Sequence, residues 1–217
     1  MKKIYIFGQG GFAKEVAVLI NSINKKAPAF ILSGFLDIKP VKKQVRIGND
    51  LVSVFDEDEF FVSENILDTC FCIGVGDPSI LKKIKDKYDG KLNFPNLVHP
   101  NVEGLFESIE TGAGNIITAG CVFTLDITIG SFNIFNLNTT IGHDAVIGNF
   151  NVFNPGVHIS GGVNIGDRNL IGTNAAILQY LKIGDNNVIG AGAMVNSAIE
   201  NNKVAVGVPA KVIKENK

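Results

Sequence analysis

The chain has 217 residues, 46% apolar and 19% charged, the balance of a globular protein rather than a disordered one. A formal net charge of −1 removes any bulk attraction to nucleic acid or anionic lipid, and no run of about 18 apolar residues is present to span a membrane. Three cysteines (Cys70, Cys72, Cys121) are too few and too irregular for a disulfide framework. Cys70-x-Cys72 also lacks zinc-knuckle spacing, so no metal is expected.

The N-terminus, MKKIYIFGQGG, begins with lysines as a signal peptide would. Its apolar stretch ends at Gly8 after four residues, short of the roughly 7–15 such peptides use, and the expected location is cytoplasmic. Lys3–Phe7 is rich in β-formers, and a helix is expected from about Phe12 with Val16, Leu19, Ile20 and Ile23 on one face. A second strand is expected near Phe30–Leu36, closing on Asp37, and a third over Thr69–Val75. In GDPSILKKIKDKY, Asp77 fits an N-cap and Pro78 the first helical position, with Ile80, Ile84 and Tyr88 at helical spacing. Residues 1–100 therefore predict a small, Rossmann-like α/β domain with a partly parallel sheet.

After about Pro100 the pattern changes to Ile-Gly dipeptides at 129, 141, 147, 165, 171, 183 and 189, every gap a multiple of six. Stepping by six from Ile117 to Val195 meets only large apolar residues. Two positions before them runs a second column, mostly small or amide: Asn133, Thr139, Ala145, Asn151, Val157, Val163, Asn169 and Ala175. A strict six suits a three-sided prism, each hexapeptide giving one short strand and a turn. A β-sandwich would space its turns more loosely, at roughly 8–12 residues. Residues 101–217 thus predict a left-handed parallel β-helix, capped by Ala205–Ile213.

Against that regularity, IGHD at 141–144 places a His-Asp dipeptide on a corner. His143, two positions after an inward Ile, cannot be a core histidine. It is either a solvated polar residue or a general base, since an imidazole titrates near neutrality and can take the proton an attacking amine or hydroxyl must lose. Asp144 could hold the other ring nitrogen and fix the tautomer if the backbone bends there. One coil on, Gly161 is either a plain turn glycine or a source of an oxyanion-binding N–H. His99 reads as structural at the domain junction, and His158 is more simply a surface residue. No Cys or Ser stands beside a base, so direct transfer without an acyl-enzyme is expected. Gly8-x-Gly10-x-x-Ala13, between strand and helix, is the kind of loop that lets backbone approach a phosphate. The domain is too short for a full NAD fold, and a sugar nucleotide suits it better.

IYIFGQGG, GFLD ending at residue 37, IGVGD around 76, VHP at 98–100, the IGHD-bearing hexapeptides and a terminal VGVPAK together resemble the bacterial sugar O-/N-acyltransferase family over essentially the whole chain. The resemblance implies a homotrimer that acetylates a sugar from acetyl-CoA, with His143 as base and Asp144 raising its basicity. Carried over by position, it implies nucleotide-sugar contacts at Gly10, Gly11, Phe12, Asp37 and Gly76. It implies cofactor contacts near Thr173 and Ala191, and at Val152 where some members carry a histidine. Ile38 stands where the family often has a second acid. The expectation is an N-acetyltransferase acting on an amino group, at C4, of an amino-dideoxy sugar carried on UDP, dTDP or GDP for surface-glycan synthesis. Alternatives are O-acetylation of a sialic-acid-type sugar, a non-catalytic scaffold or nucleotide sensor, and an NAD-dependent oxidoreductase. No metal is implied.

Overall fold

A computed structural model describes residues 1–63 and 66–217. The N-terminal part runs β1 (Lys2–Phe7), α1 (Gly11–Lys26), β2 (Phe30–Asp37), β3 (Gln44–Ile47), β4 (Asp50–Asp56), α2 (Glu57–Ser63), β5 (Cys70–Ile73) and α3 (Pro78–Lys87). The sheet order is β3-β4-β2-β1-β5. β1 pairs in parallel with β2 and β5, β2 pairs in parallel with β4, and β3 folds back antiparallel on β4. The expected α/β sheet is therefore present, with a hairpin and a short helix added between the second and third expected strands. Asp77 caps α3 as expected, its carboxylate accepting from the Ser79 and Ile80 N–H groups. The buried face of α3 carries Leu81 rather than the exposed Ile80.

Gly74, just after β5, has no room for a side chain, because a Cβ there would meet the Ala13 Cα at 2.7 Å. That closeness lets α1 lie flat on the sheet. The carboxyl ends of β1, β2 and β5 then share one edge, where ligands of open α/β sheets bind.

The rest is a three-sided parallel β-helix. Strands of two or three residues repeat every eighteen along each face, so Val122, Thr140, His158, Ala176 and Met194 stack in one ladder. The first face reaches back to β6 (Leu97–Val98), which pairs with Ile116–Ile117. The fourteen residues from Ile117 to Val195 at steps of six all point inward, none more than 3% exposed. The glycine after each aliphatic residue is a matter of clearance: a Cβ on Gly130 would sit 2.6 Å from the Gly148 carbonyl oxygen, and one on Gly142 would sit 2.6 Å from the Gly161 nitrogen.

The second column is wholly buried and partly polar. Asn151 Oδ1 accepts from the Asn169 backbone N–H at 2.8 Å and from its side-chain amide at 3.0 Å, and the same ladder joins Asn115, Asn133, Asn169 and Asn187. A third column escaped the sequence. Positions 114 to 192 at steps of six all have positive φ, between 54° and 74°, whether occupied by Gly or by Asp126, Phe132, Asp144 or Tyr180. Every corner thus turns through the left-handed region, normally unfavourable for a residue with a side chain.

The first face is covered by the α/β domain. Ile116, Ile134 and Val152, outward on that face, share one buried cluster with the N-terminal core, and Phe94 meets Phe132 edge-on at 5.2 Å. At the far end Lys203–Val206 and Lys211–Glu215 form an antiparallel pair that closes the first face, consistent with a cap. The last coil is two residues short, pairing Val188 with Val204 and Ile189 with Ala205.

Candidate active site

His143 and Asp144 lie on the corner between the second face (Thr140–Ile141) and the third (Val146–Ile147). Asp144 has φ of 57°, and this left-handed turn brings its carboxylate alongside the preceding ring. The imidazole Nδ1 and Asp144 Oδ2 are 2.7 Å apart. A carboxylate accepts, so Nδ1 carries the proton and Nε2 presents its lone pair. Both side chains are more than half exposed, at 51% and 63%.

The Nε2 edge lies over Gly161: a Cβ built on that glycine would stand 2.5 Å from Nε2 and 2.6 Å from Cε1. The imidazole has its place because residue 161 lacks a side chain. The Gly161 carbonyl accepts from Tyr180 N–H, while its own N–H has no partner among the described residues. A free base and a free N–H therefore stand on adjacent coils. Tyr180, not anticipated from the sequence, is 74% exposed further along the same corner, its ring lying back over Gly162. Its only sequence signal was an aromatic at a turn position.

Thr173 and Ala191 are exposed and stacked one coil apart, Gly192 N–H donating to the Thr173 carbonyl at 2.8 Å. They occupy the corner between the first and second faces, so the second face separates them from His143, a width of six residues or at most about 20 Å. Val152 requires a correction. It is only 2% exposed and buried beneath the α/β domain, so it has no surface to offer a cofactor. Nine residues carry the chain from the His143 corner past the third face to the first, where side chains meet the docked domain.

The edge formed by the ends of β1 and β2 holds a cleft of about 560 Å³ that brings together Gly10 and Asp37. Gly11 and Gly76 are exposed nearby but outside its lining, and the Phe12 ring packs against the core. The cleft is also lined by Lys14, Lys42 and Arg46, three cations to the single Asp37 carboxylate. Gln9 adds an amide oxygen that is buried without a partner among the described residues. Such a site can take a diphosphate on its cations and a hydrogen-bond donor, such as a base edge, on Gln9. Sequence reading missed the cations because they come from α1, the β2–β3 loop and β3, segments that meet only in the fold.

His158 is exposed on the second face and hydrogen-bonds Thr140 Oγ1 at 2.9 Å. Among the described residues no group of three or more His, Cys, Asp or Glu is placed to hold a metal, and no helix is long and apolar enough to cross a membrane.

Residues 3–88 match the model of the PglD N-terminal domain, and residues 162–197 match the bacterial transferase hexapeptide, six repeats. No curated protein matches the chain significantly. Among solved structures, PerB from Caulobacter crescentus in complex with CoA and GDP-perosamine is 25% identical with a TM-score of 0.83, covering 99% of this chain and 98% of that one. The acetyltransferase domain of PglB from Neisseria gonorrhoeae FA1090 is 24% identical with a TM-score of 0.86, covering 98% of this chain and 100% of that one. WeeI from Acinetobacter baumannii AYE is 24% identical with a TM-score of 0.85 over 98% of this chain and 100% of that one. The chain thus joins a PglD-type N-terminal domain to a left-handed β-helix of bacterial transferase hexapeptide repeats, and over nearly its whole length it is similar to the PglB acetyltransferase domain and to PerB.

Proposed function

We propose that the protein transfers acetyl from acetyl-CoA to an amino group, at C4, of an amino-dideoxy sugar carried on a nucleoside diphosphate. The observation that carries this reading is the paired His143–Asp144, with Nε2 unencumbered above Gly161. The sugar amine attacks the thioester carbonyl carbon as His143 Nε2 takes its proton. Asp144 holds Nδ1–H and stabilises the imidazolium. In this reading the Gly161 N–H, which has no partner among the described residues, receives the oxyanion of the tetrahedral intermediate. On collapse the C–S bond breaks, and the imidazolium returns its proton to the departing thiolate.

PerB was crystallised with CoA and GDP-perosamine, and the cationic cleft of the present chain suits a ligand of that kind better than a free sugar. Acetyl-CoA is taken to lie along the corner of Thr173 and Ala191. The base stands on the other corner of the second face, so a homotrimer fits the arrangement. A three-fold axis along the prism keeps axial height, and His143 lies on the coil of Leu137, about 10 Å below Thr173 at two strand spacings. A neighbour's base would then stand between the acceptor and the cofactor.

The test is release of free thiol from acetyl-CoA with UDP-, dTDP- and GDP-linked 4-amino-4,6-dideoxy sugars and with sialic acid. Turnover on one amino sugar, lost in His143→Ala, is expected. Turnover on sialic acid alone would replace the reading with O-acetylation. No turnover and no acetyl-CoA binding would end it.

A further inference from the structure

The second face is the wall that joins the corner of Thr173 and Ala191 to the corner of His143. Its outward line, one residue per coil, is Val122, Thr140, His158, Ala176 and Met194. Val122, Ala176 and Met194 are half-buried and apolar, whereas His158 is exposed. Ala176 shares the coil of Thr173, and Met194 that of Ala191, so an apolar strip runs beside this corner and ends on His158. Further down the same corner, α1 closes on Thr118, Ala119 and Leu137 to enclose a chamber of about 360 Å³. His158 occupies the coil between that chamber and Thr173. It is also near a base. Thr140, directly below it, comes three residues before His143. Three residues of chain and one strand spacing hold the Cα atoms of His158 and His143 within about 12 Å.

The imidazole is fixed by its neighbour. Its Nδ1 lies 2.9 Å from Thr140 Oγ1, and that hydroxyl has no other partner among the described residues. A hydroxyl with a single acceptor in reach gives it the proton, so Nδ1 accepts and the ring proton sits on Nε2. Nε2 has no partner among the described residues and presents its N–H on the outer side of the face. Protonation of the ring would leave Nε2–H a donor as well.

We propose that His158 is a positioning residue for acetyl-CoA, its Nε2–H donating to an amide carbonyl of the pantetheine arm. The arm descends from the level of Ala191 and Thr173 toward the base. Alkyl segments broken by amides suit a strip of Met194 and Ala176 that ends on one donor. A sugar ring set against the same strip would leave its hydroxyls without partners. The assignment rests on the acetyl transfer proposed above and adds a contact beyond those at Thr173 and Ala191. His158 fixes the place of the thioester, while the transferred proton belongs to His143.

The experiment measures KM for acetyl-CoA, S-acetylpantetheine and the nucleotide sugar, with the dissociation constant of CoA by calorimetry and the melting temperature. His158→Ala should raise KM for both acetyl donors by the same factor, about 3- to 10-fold, the loss of one hydrogen bond between neutral groups. The CoA dissociation constant should rise in step, with nucleotide-sugar KM and melting temperature unmoved and kcat largely kept. His158→Gln, which retains an N–H near the Nε2 position, should recover part of the loss. Thr140→Val, which frees the ring to hold either tautomer, should show a smaller version of it. A loss seen with acetyl-CoA and absent with S-acetylpantetheine would overturn the assignment. So would a rise confined to nucleotide-sugar KM, or a lower melting temperature with CoA affinity unchanged. Wild type that binds CoA but turns over no nucleotide sugar would instead overturn the function proposed above, and the CoA affinities would still decide for or against His158.

Discussion

In the β-helix, Ile159 pairs in register with Ile141 one coil below and Ile177 one coil above, and this repeats up the prism. In the α/β domain, Phe71 meets the rings of Tyr5, Phe7, Phe60, Phe61 and Phe94, drawn from β1, α2 and the segment after α3. One core is assembled from neighbours at a fixed sequence distance and the other from stretches that meet only in the folded domain. The difference teaches where function can sit. Nearly everything that stabilises the prism points inward, so its corners are free to carry chemistry. In the α/β domain the cationic cleft borders the same sheet edge that the core must support.

The sharpest way to break this comparison is His143→Ala. If the corners are free of structural duty, kcat/KM should fall by about 10²–10⁴, some 3–5 kcal/mol of barrier, with the melting temperature unmoved. A matching loss of stability would show that the corner also holds the coil. Next in size, Phe71→Ala should cost about 3–5 kcal/mol in denaturant unfolding because one ring serves many partners. If Ile165→Ala in the prism costs as much, by calorimetry, the two cores are less different than their contacts suggest. Asn151→Ala should cost roughly 2–4 kcal/mol, since it leaves the Asn169 backbone N–H and side-chain amide short of an acceptor inside the prism. A smaller loss would mean that the aliphatic column alone carries the coil.

Gly161→Ala should lower kcat on the order of 10²-fold while circular dichroism stays native, because the added methyl displaces the imidazole. The smallest effect concerns the tie between α2 and α3. Glu57 accepts from Lys87 Nζ at 2.7 Å and from Tyr88 OH at 2.6 Å. The hydrogen bond to Glu57 raises the Lys87 pKa, while burial first and then Glu57 raise that of Tyr88. Both folded values lie above the ordinary ones near 10, so this contribution is full below about pH 10 and fades as pH rises through the folded values. The α/β domain should lose stability against unfolding in that alkaline range, and in Glu57→Gln much of this loss should disappear.

Legibility followed the same divide. The fourteen inward positions could be read directly because each coil repeats its predecessor, and the register of six places every one without knowledge of the fold. His143 and Asp144 could be paired because the two partners are adjacent in the chain. The clearance above Gly161 could be suspected from its spacing of eighteen, but that the missing side chain makes room for the ring is visible only in three dimensions. Val152 was misplaced because an interval counted along the chain says nothing of which face a docked domain covers. The β3–β4 hairpin was missed although Gln44–Ile47 alternates polar and apolar residues before a Gly48-Asn49 turn, and with it went Lys42 and Arg46.

By itself, the sequence determined the prism, its inward column, the corner pair and the α/β character of the first hundred residues. Each depends on interactions local in sequence or repeated at a constant interval. The tertiary structure alone decided which face the α/β domain covers, how Lys14, Lys42 and Arg46 converge around Asp37, and that α1 and the corner at Leu137 enclose a chamber. These depend on long-range packing of segments that share no period, so no spacing in the chain encodes them.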